Sequence, residues 1–271
     1  MSKRRLIATL LINNGVVVQT RRFKRTNMVG NAFTAVDFFN TWTVDEIAIL
    51  EISNTRDHLA KFEGIVEELS RRCFVPLAVG GKIDSVGAAA RYTRLGADKV
   101  VVNTHAVERP DLIEAIAADF GSQCVVLSID ALRDDAHPSG YQVMVDNARR
   151  GSGRDVLDWA REGVARGAGE VLVNAVEHDG DKRGYDLKLV RMLADALAVP
   201  VVAMGGVGEW QHLVDGVVDG HADAVAAGNI FHYTEHSTKK AKEFMAGAGL
   251  NVRASQFYRI AMPRRPKYAA Y

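Results

Sequence analysis

Two stretches about half a chain apart read as copies of one another. Val75-Pro76-Leu77-Ala78-Val79-Gly80-Gly81 matches Val199-Pro200-Val201-Val202-Ala203-Met204-Gly205-Gly206. Gly96-Ala97-Asp98-Lys99-Val100-Val101-Val102-Asn103 matches His221-Ala222-Asp223-Ala224-Val225-Ala226-Ala227-Gly228 in the same order. Such a repeat constrains the fold strongly, because one architecture must accommodate both copies. Each copy contains short, β-branched, apolar runs of the kind buried on both faces of a parallel sheet. Eight such runs occur: Leu6–Ile12, Glu46–Ile52, Pro76–Gly80, Lys99–Asn103, Cys124–Ile129, Glu170–Val176, Pro200–Gly205 and Ala222–Ala227.

Amphipathic segments separate them. His58–Arg72 places Leu59, Phe62, Ile65, Val66 and Leu69 at helical spacing, and Asp84–Leu95, Asp111–Phe120, Asp155–Arg166, Leu187–Leu197 and Trp210–Val218 read the same way. Asn31 opens one helix, and Gly96, Gly121 and Gly167 close others. Eight strands alternating with helices predict a single α/β domain, a (β/α)8 TIM barrel with a twofold half-barrel repeat, over residues 1–253. A basic and aromatic extension follows over 254–271, with Arg259, Arg264, Arg265 and Lys267 among Phe257, Tyr258, Tyr268 and Tyr271. That extension is expected to pack on the barrel or on a partner.

The chain of 271 residues is long enough for one such barrel, and its formal net charge of +1 gives no reason to expect nucleic acid or a membrane as partner. Two distant cysteines, Cys73 and Cys124, fit a reduced, cytoplasmic protein. The first apolar run is short for a secretion signal, and no stretch is long enough to span a bilayer. The eight histidines show no ligand spacing, so neither a metal nor a cofactor is expected.

Chemistry in an α/β fold gathers at the carboxyl ends of its strands. Asp130, just past the run ending at Ile129, is a candidate acid–base there. Gly80-Gly81 and Gly205-Gly206 each follow a strand and precede a helix, where backbone N–H groups can hold an anion. With Asn103-Thr104 and Gly228-Asn229 ending the next strands, they predict two phosphate grips. The polar loop Glu177–Gly184 contributes Asp179 and Gly180 as site residues.

At this point a family resemblance becomes visible. Phe120–Asp130, Gly96-Ala97-Asp98-Lys99-Val100, His178-Asp179-Gly180 with Gly184-Tyr185-Asp186, and Ile230-Phe231-His232-Tyr233 resemble the cyclase subunit of imidazole glycerol phosphate synthase, in one register over roughly residues 4–253. The resemblance implies a barrel joined to a glutaminase subunit, with ammonia passing through the barrel to a phosphorylated small molecule. It implies an ammonia gate of Arg5, Glu46, Lys99 and Glu170, and a glutaminase contact at Asp98. It implies phosphate or substrate contacts at Gly81, Asn103, Thr104, Gly180, Gly205, Gly206, Ala227 and Gly228.

The departures carry as much information. The family's first catalytic aspartate is Leu11 here, its first-loop lysine is Gln19, a phosphate-side glycine is Lys82, and the sixth-strand threonine is Asn174. The loop Val145–Gly153 also differs. Leu10-Leu11 and Phe23-Lys24-Arg25 are similar to a divergent branch that works with a glutaminase and a third, sugar-amidating protein to make acetamidino groups. The resemblance therefore implies a glutamine-dependent ammonia-channelling subunit for a sugar or specialised metabolite. The alternatives are the histidine-pathway cyclase itself and a noncatalytic conduit.

Overall fold

The protein is described as a computed structural model over residues 3–41, 43–232 and 237–254. The extension at 255–271 lies outside the described residues.

Eight parallel strands close into a barrel: β1 (Arg5–Asn13), β4 (Glu46–Glu51), β5 (Leu77–Gly80), β6 (Lys99–Val102), β7 (Val125–Arg133), β10 (Glu170–Ala175), β11 (Val201–Met204) and β12 (Ala224–Ala227). They neighbour one another in that order, and β12 returns to β1. All eight predicted strands are present. Two hairpins were not foreseen. β2 (Val16–Arg21) with β3 (Lys24–Gly30) rises from β1, and β8 (Tyr141–Val145) with β9 (Arg150–Asp155) rises from β7. Each half of the barrel thus opens on a strand that continues into an antiparallel hairpin.

The helices are α1 (Ala32–Thr41), α2 (Leu59–Ser70), α3 (Val86–Arg94), α4 (Thr104–Glu108), α5 (Asp111–Phe120), α6 (Val156–Ala165), α7 (Leu187–Ala196), α8 (Trp210–Val218) and α9 (Ser237–Gly247). Asp155 caps α6 by accepting from the N–H groups of Leu157 and Asp158, and Asn31 caps α1 through the Phe33 N–H. Asp84 is not the cap of α3; Ser85 is, through the Ala88 N–H. Each cap satisfies donors that the first helical turn leaves orphaned, worth about 1 kcal/mol.

The core lies in two shells. Between helices and barrel, Phe62, Val66 and Leu69 of α2 and Trp159 of α6 bury against the outward residues Leu6, Leu10, Ile47, Ile49 and Leu127. Inside the barrel, Ile7, Ala48, Ala78, Val101, Val126, Leu172, Val202, Met204, Ala224 and Ala226 form a second, separate apolar cluster. The period-two alternation along each strand sends successive residues to the two shells.

The repeat holds in hydrogen bonding as well as in sequence. The Asp98 carboxylate accepts from the Leu77 N–H at 2.8 Å, and Asp223 does the same for Val201 at 3.1 Å. Each aspartate fixes the start of the preceding strand.

Candidate functional site

The strand ends carry two polar layers, one at each mouth of the barrel. At the amino-terminal mouth, the Arg5 guanidinium donates to Glu46 Oε2 at 2.7 Å and also to Glu170. Lys99 Nζ donates to Glu46 Oε2 at 2.9 Å and to Glu170 Oε2 at 2.7 Å. The four side chains, the positions that the family resemblance singled out, form a closed ring with alternating charge. Glu46 and Glu170 are 3% and 5% exposed. Burial pushes the Glu170 carboxyl up, but hydrogen bonds and charge from Arg5 and Lys99 outweigh it and hold the group below the usual carboxylate range. Burial acts against the Arg5 guanidinium too, and Glu170 and Glu46 more than offset it. Asp98 sits at this same end of the barrel, exposed, with its carboxylate committed to the Leu77 N–H.

The carboxyl-terminal mouth is a cavity of about 950 Å³. It gathers Gly81, Lys82, Asn103, Thr104, Asp130, Asn174 and Asp179, seven of the residues singled out in the sequence. Gly180, Gly205, Gly206, Ala227 and Gly228 line a separate cleft of about 30 Å³, which Asp179 also borders. Gly81, Lys82, Asn103 and Thr104 come from the first half of the repeat; Asp130, Asn174 and Asp179, like the small-cleft residues just named, come from the second. Gly81 and Gly206 have φ of +115° and +98°, and a Cβ there would lie 2.5 Å from the Glu51 carbonyl and 2.2 Å from the Gly184 carbonyl. Glycine is required by the backbone at both places.

One expectation about Asp130 needs correcting. It does not lie past its strand; β7 runs on to Arg133, because its end pairs with β8 and sets Asp130 opposite Met144. On the other side Asp130 faces Asn174 of β10. Asp130 is 8% exposed and accepts from Asn103 Nδ2 at 3.0 Å. Burial raises its pKa to about 7; the Asn103 hydrogen bond opposes that rise and the Asp179 charge adds to it. At neutral pH it exchanges a proton readily.

Register identifies its counterpart. In β1–β4, Ile7 faces Glu46 and Leu11 faces Leu50; in β7–β10, Val126 faces Glu170 and Asp130 faces Asn174. Leu11 therefore occupies in the first half the place of Asp130 in the second. Each also opens its hairpin, Leu11 opposite Val18 and Asp130 opposite Met144. Gln19, by contrast, is buried in β2 and accepts from Asn27 Nδ2, away from the cavity lining.

The hairpins bring in residues that sequence reasoning missed. Arg22, Lys24 and Arg25 from the first, and Asp146, Asn147 and Arg149 from the second, border the large cavity. Each hairpin reaches over the other half. Arg22 and Phe23 N–H groups donate to the Asp179 carbonyl and carboxylate, Arg21 and Arg22 pair with Asp181, and Asn229 holds the Thr20 carbonyl. In return, Asp146 N–H donates to Thr104 Oγ1 and Asn147 Nδ2 to the Ile52 carbonyl, both at 3.0 Å. The second turn is costly to form, since Asp146, Asn147 and Ala148 are all left-handed, at φ near +56°. Lys82 is left-handed too, at φ +58°; burial lowers its pKa, against the pull of Glu51. The basic run Arg21-Arg22-Phe23-Lys24-Arg25 between two apolar stretches was the available signal for the first hairpin.

Among the described residues no cluster of three or more His, Cys, Asp or Glu side chains could hold a metal ion, and no helix is long and apolar enough to cross a membrane. A protein-family model described as "Histidine biosynthesis protein" matches residues 5–237. A protein of Vibrio vulnificus (strain YJ016), named "Putative imidazole glycerol phosphate synthase subunit hisF2", is 39% identical over 255 residues, covering 94% of this chain and 93% of that one. On both grounds, and with the barrel and its two polar mouths in place, the chain belongs to the histidine biosynthesis protein family.

Proposed function

We propose that this chain is the ammonia-channelling barrel subunit of a glutamine-dependent synthase, and that its acceptor is not the histidine precursor. A glutaminase would dock at the amino-terminal mouth, with Asp98 at the contact and the Arg5–Glu46–Lys99–Glu170 ring as the gate. The barrel interior beyond the ring is lined by Ile7, Ala48, Ala78, Val101, Val126, Leu172 and Val202. Such a lining admits uncharged ammonia and rejects an ion that would have to shed its hydration. At the far mouth, Gly81, Lys82, Asn103 and Thr104 are proposed to hold one anionic group of a phosphorylated acceptor, and Gly180, Gly205, Gly206, Ala227 and Gly228 a second.

The observation that carries the reading is Leu11 in the place of a second Asp130. Ring closure of the histidine-pathway type needs proton transfer on both sides of the acceptor, and a leucine side chain does not titrate. Each missing acid–base group typically costs about 10²–10⁴-fold in rate. A sugar or specialised metabolite taking an amidino group fits better, as does delivery to a third, sugar-amidating protein. The second version draws support from Met28 and Val29 on the first hairpin, which are 73% and 40% exposed.

The test is ammonia-dependent turnover of the histidine precursor. We expect the native chain to run at least 10²-fold below an ordinary member of the family. Turnover within a few-fold of such a member would overturn the reading. Loss of glutaminase co-purification on Asp98→Lys is expected, and is interpretable only if Asp98→Asn, which weakens the Leu77 hydrogen bond without reversing charge, leaves binding in place.

A further inference from the structure

The closed barrel has no free edge, but its two hairpins do. Among the described residues β3 pairs only with β2, and β9 only with β8, so the sheet ends on these two strands. An open edge presents unpaired backbone N–H and C=O groups, and proteins usually blunt it. β9 is blunted. Its Arg150 pairs with Asp146 and Glu108, its Arg154 pairs with Glu162 of α6 and lies over the Trp159 ring, and its Asp155 caps α6. Gly151 and Gly153 interrupt its row of side chains.

β3 is left open. Its side chains bond back to β1 and β2: Thr26 Oγ1 to the Gln19 carbonyl, Asn27 Nδ2 to Gln19 Oε1, and Arg25 to Asn13. Every residue from Lys24 to Val29 is exposed, and no proline or glycine interrupts the strand before Gly30. Arg21 and Arg22 are neutralised by Asp181, but among the described residues Lys24 and Arg25 pair with no carboxylate. No acidic residue lies between Val16 and Gly30. The edge, 7 residues and about 23 Å long, is therefore cationic at its start and apolar at Met28 and Val29. Such charges repel a like strand and attract an acidic one. A second copy fits poorly, since antiparallel pairing would set Lys24 and Arg25 against Met28 and Val29. We propose that β3 is the docking edge for the third protein of the synthase, which adds to it an extended segment with carboxylates facing Lys24 and Arg25 and apolar side chains facing Met28 and Val29. This rests on the reading that nitrogen is delivered to such a protein. Main-chain hydrogen bonds supply the affinity of strand addition, and the two unlike ends of β3 set its register. Lys24 and Arg25 also border the large cavity, so the added strand would run from the rim where nitrogen is handed on.

Two synthetic peptides test the edge on the full-length chain. One alternates glutamate with valine in its first half and threonine with valine in its second. The other carries the same charge but has prolines that deny it a strand. Fluorescence anisotropy follows binding, and backbone amide exchange locates it. We expect saturable binding of the first peptide only, with exchange slowed within Lys24–Gly30. Lys24→Glu combined with Arg25→Glu, and separately Met28→Asp, should each weaken it by about tenfold. All three positions are exposed, so the variants are expected to fold, which circular dichroism checks. No saturable binding, equal binding of the two peptides, protection outside β3, or self-association of the chain that Met28→Asp abolishes would each overturn the proposal. If the peptide binds at β3 but the native chain turns over the histidine precursor at an ordinary rate, the docking edge stands and the proposed acceptor falls. If turnover is as low as expected and no peptide binds, only the docking edge is lost.

Discussion

The two halves of the barrel agree at one mouth and differ at the other. At the amino-terminal mouth each half supplies one glutamate, Glu46 and Glu170, at matching register, and both are shared by the same two cations. At the carboxyl-terminal mouth the matching positions hold Leu11 and Asp130, and beside them Leu50 and Asn174. The first half is apolar where the second is polar. A symmetric charged ring at one mouth thus stands opposite a one-sided polar wall at the other.

That contrast can be broken at the charged ring with the largest effect. Removing Glu170 leaves Arg5 and Lys99 half-buried and short of a partner, which typically costs about 3–5 kcal/mol. Glu46→Ala should cost a similar amount, because Glu46 bridges the same pair. Chemical denaturation of both variants measures this; a large difference between them would show that the ring is less symmetric than its register.

The contrast sharpens at Asp130. Its folded pKa, about 7, lies above the ordinary value of 3.8, so the protonated form is favoured by folding. The sign follows: the contribution to stability is full below pH 4 and is lost as pH rises through 7. Asp130→Asn should therefore stabilise the chain at pH 8, on the order of 2–4 kcal/mol at about 1.4 kcal/mol per pKa unit, and have little effect at pH 4. Leu11→Asn, at the matching place, should show no such pH dependence. Leu11→Asp is a further probe. It restores a carboxyl but not its surroundings, so the rate with the histidine precursor should rise without reaching that of an ordinary family member, since Lys82, Asn174 and the second hairpin still shape the cavity. The smallest effect is expected from Asp181→Ala, which removes ion pairs to Arg21 and Arg22, whose side chains are 64% and 60% exposed. Pairs of that kind are weak, and the melting temperature should move by a few degrees at most.

The barrel was legible because parallel strands buried on both faces announce themselves as apolar runs, and because the repeat supplied two of those runs twice. The charged ring was legible through family resemblance, and its charges sit at the starts of those same runs. The hairpins were not. β3 reads Lys24-Arg25-Thr26-Asn27-Met28-Val29-Gly30, nearly all of it exposed, with no alternation to detect. β9 reads Arg150-Gly151-Ser152-Gly153-Arg154-Asp155, and the turn before it uses left-handed Asp, Asn and Ala with no glycine. α9 was missed because it is polar on average, while its Lys242 is 1% exposed, with the ammonium on Asp45 at 2.7 Å and on the Thr43 carbonyl. The open edge of β3 depends on which strands pair, and no linear pattern encodes that.

The crossing of the hairpins has a consequence for how the molecule comes apart. Each hairpin grows from its own half and is tied to the other, the first through Asp179, Asp181 and Asn229, the second through Ile52, Thr104 and Glu108. Neither half can melt alone without dragging the opposite one's strap off its anchor. Duplicated barrels invite stepwise loss of one module at a time. This one is laced so that both modules share a single unfolding barrier, and its equilibrium transition should be one cooperative step rather than two.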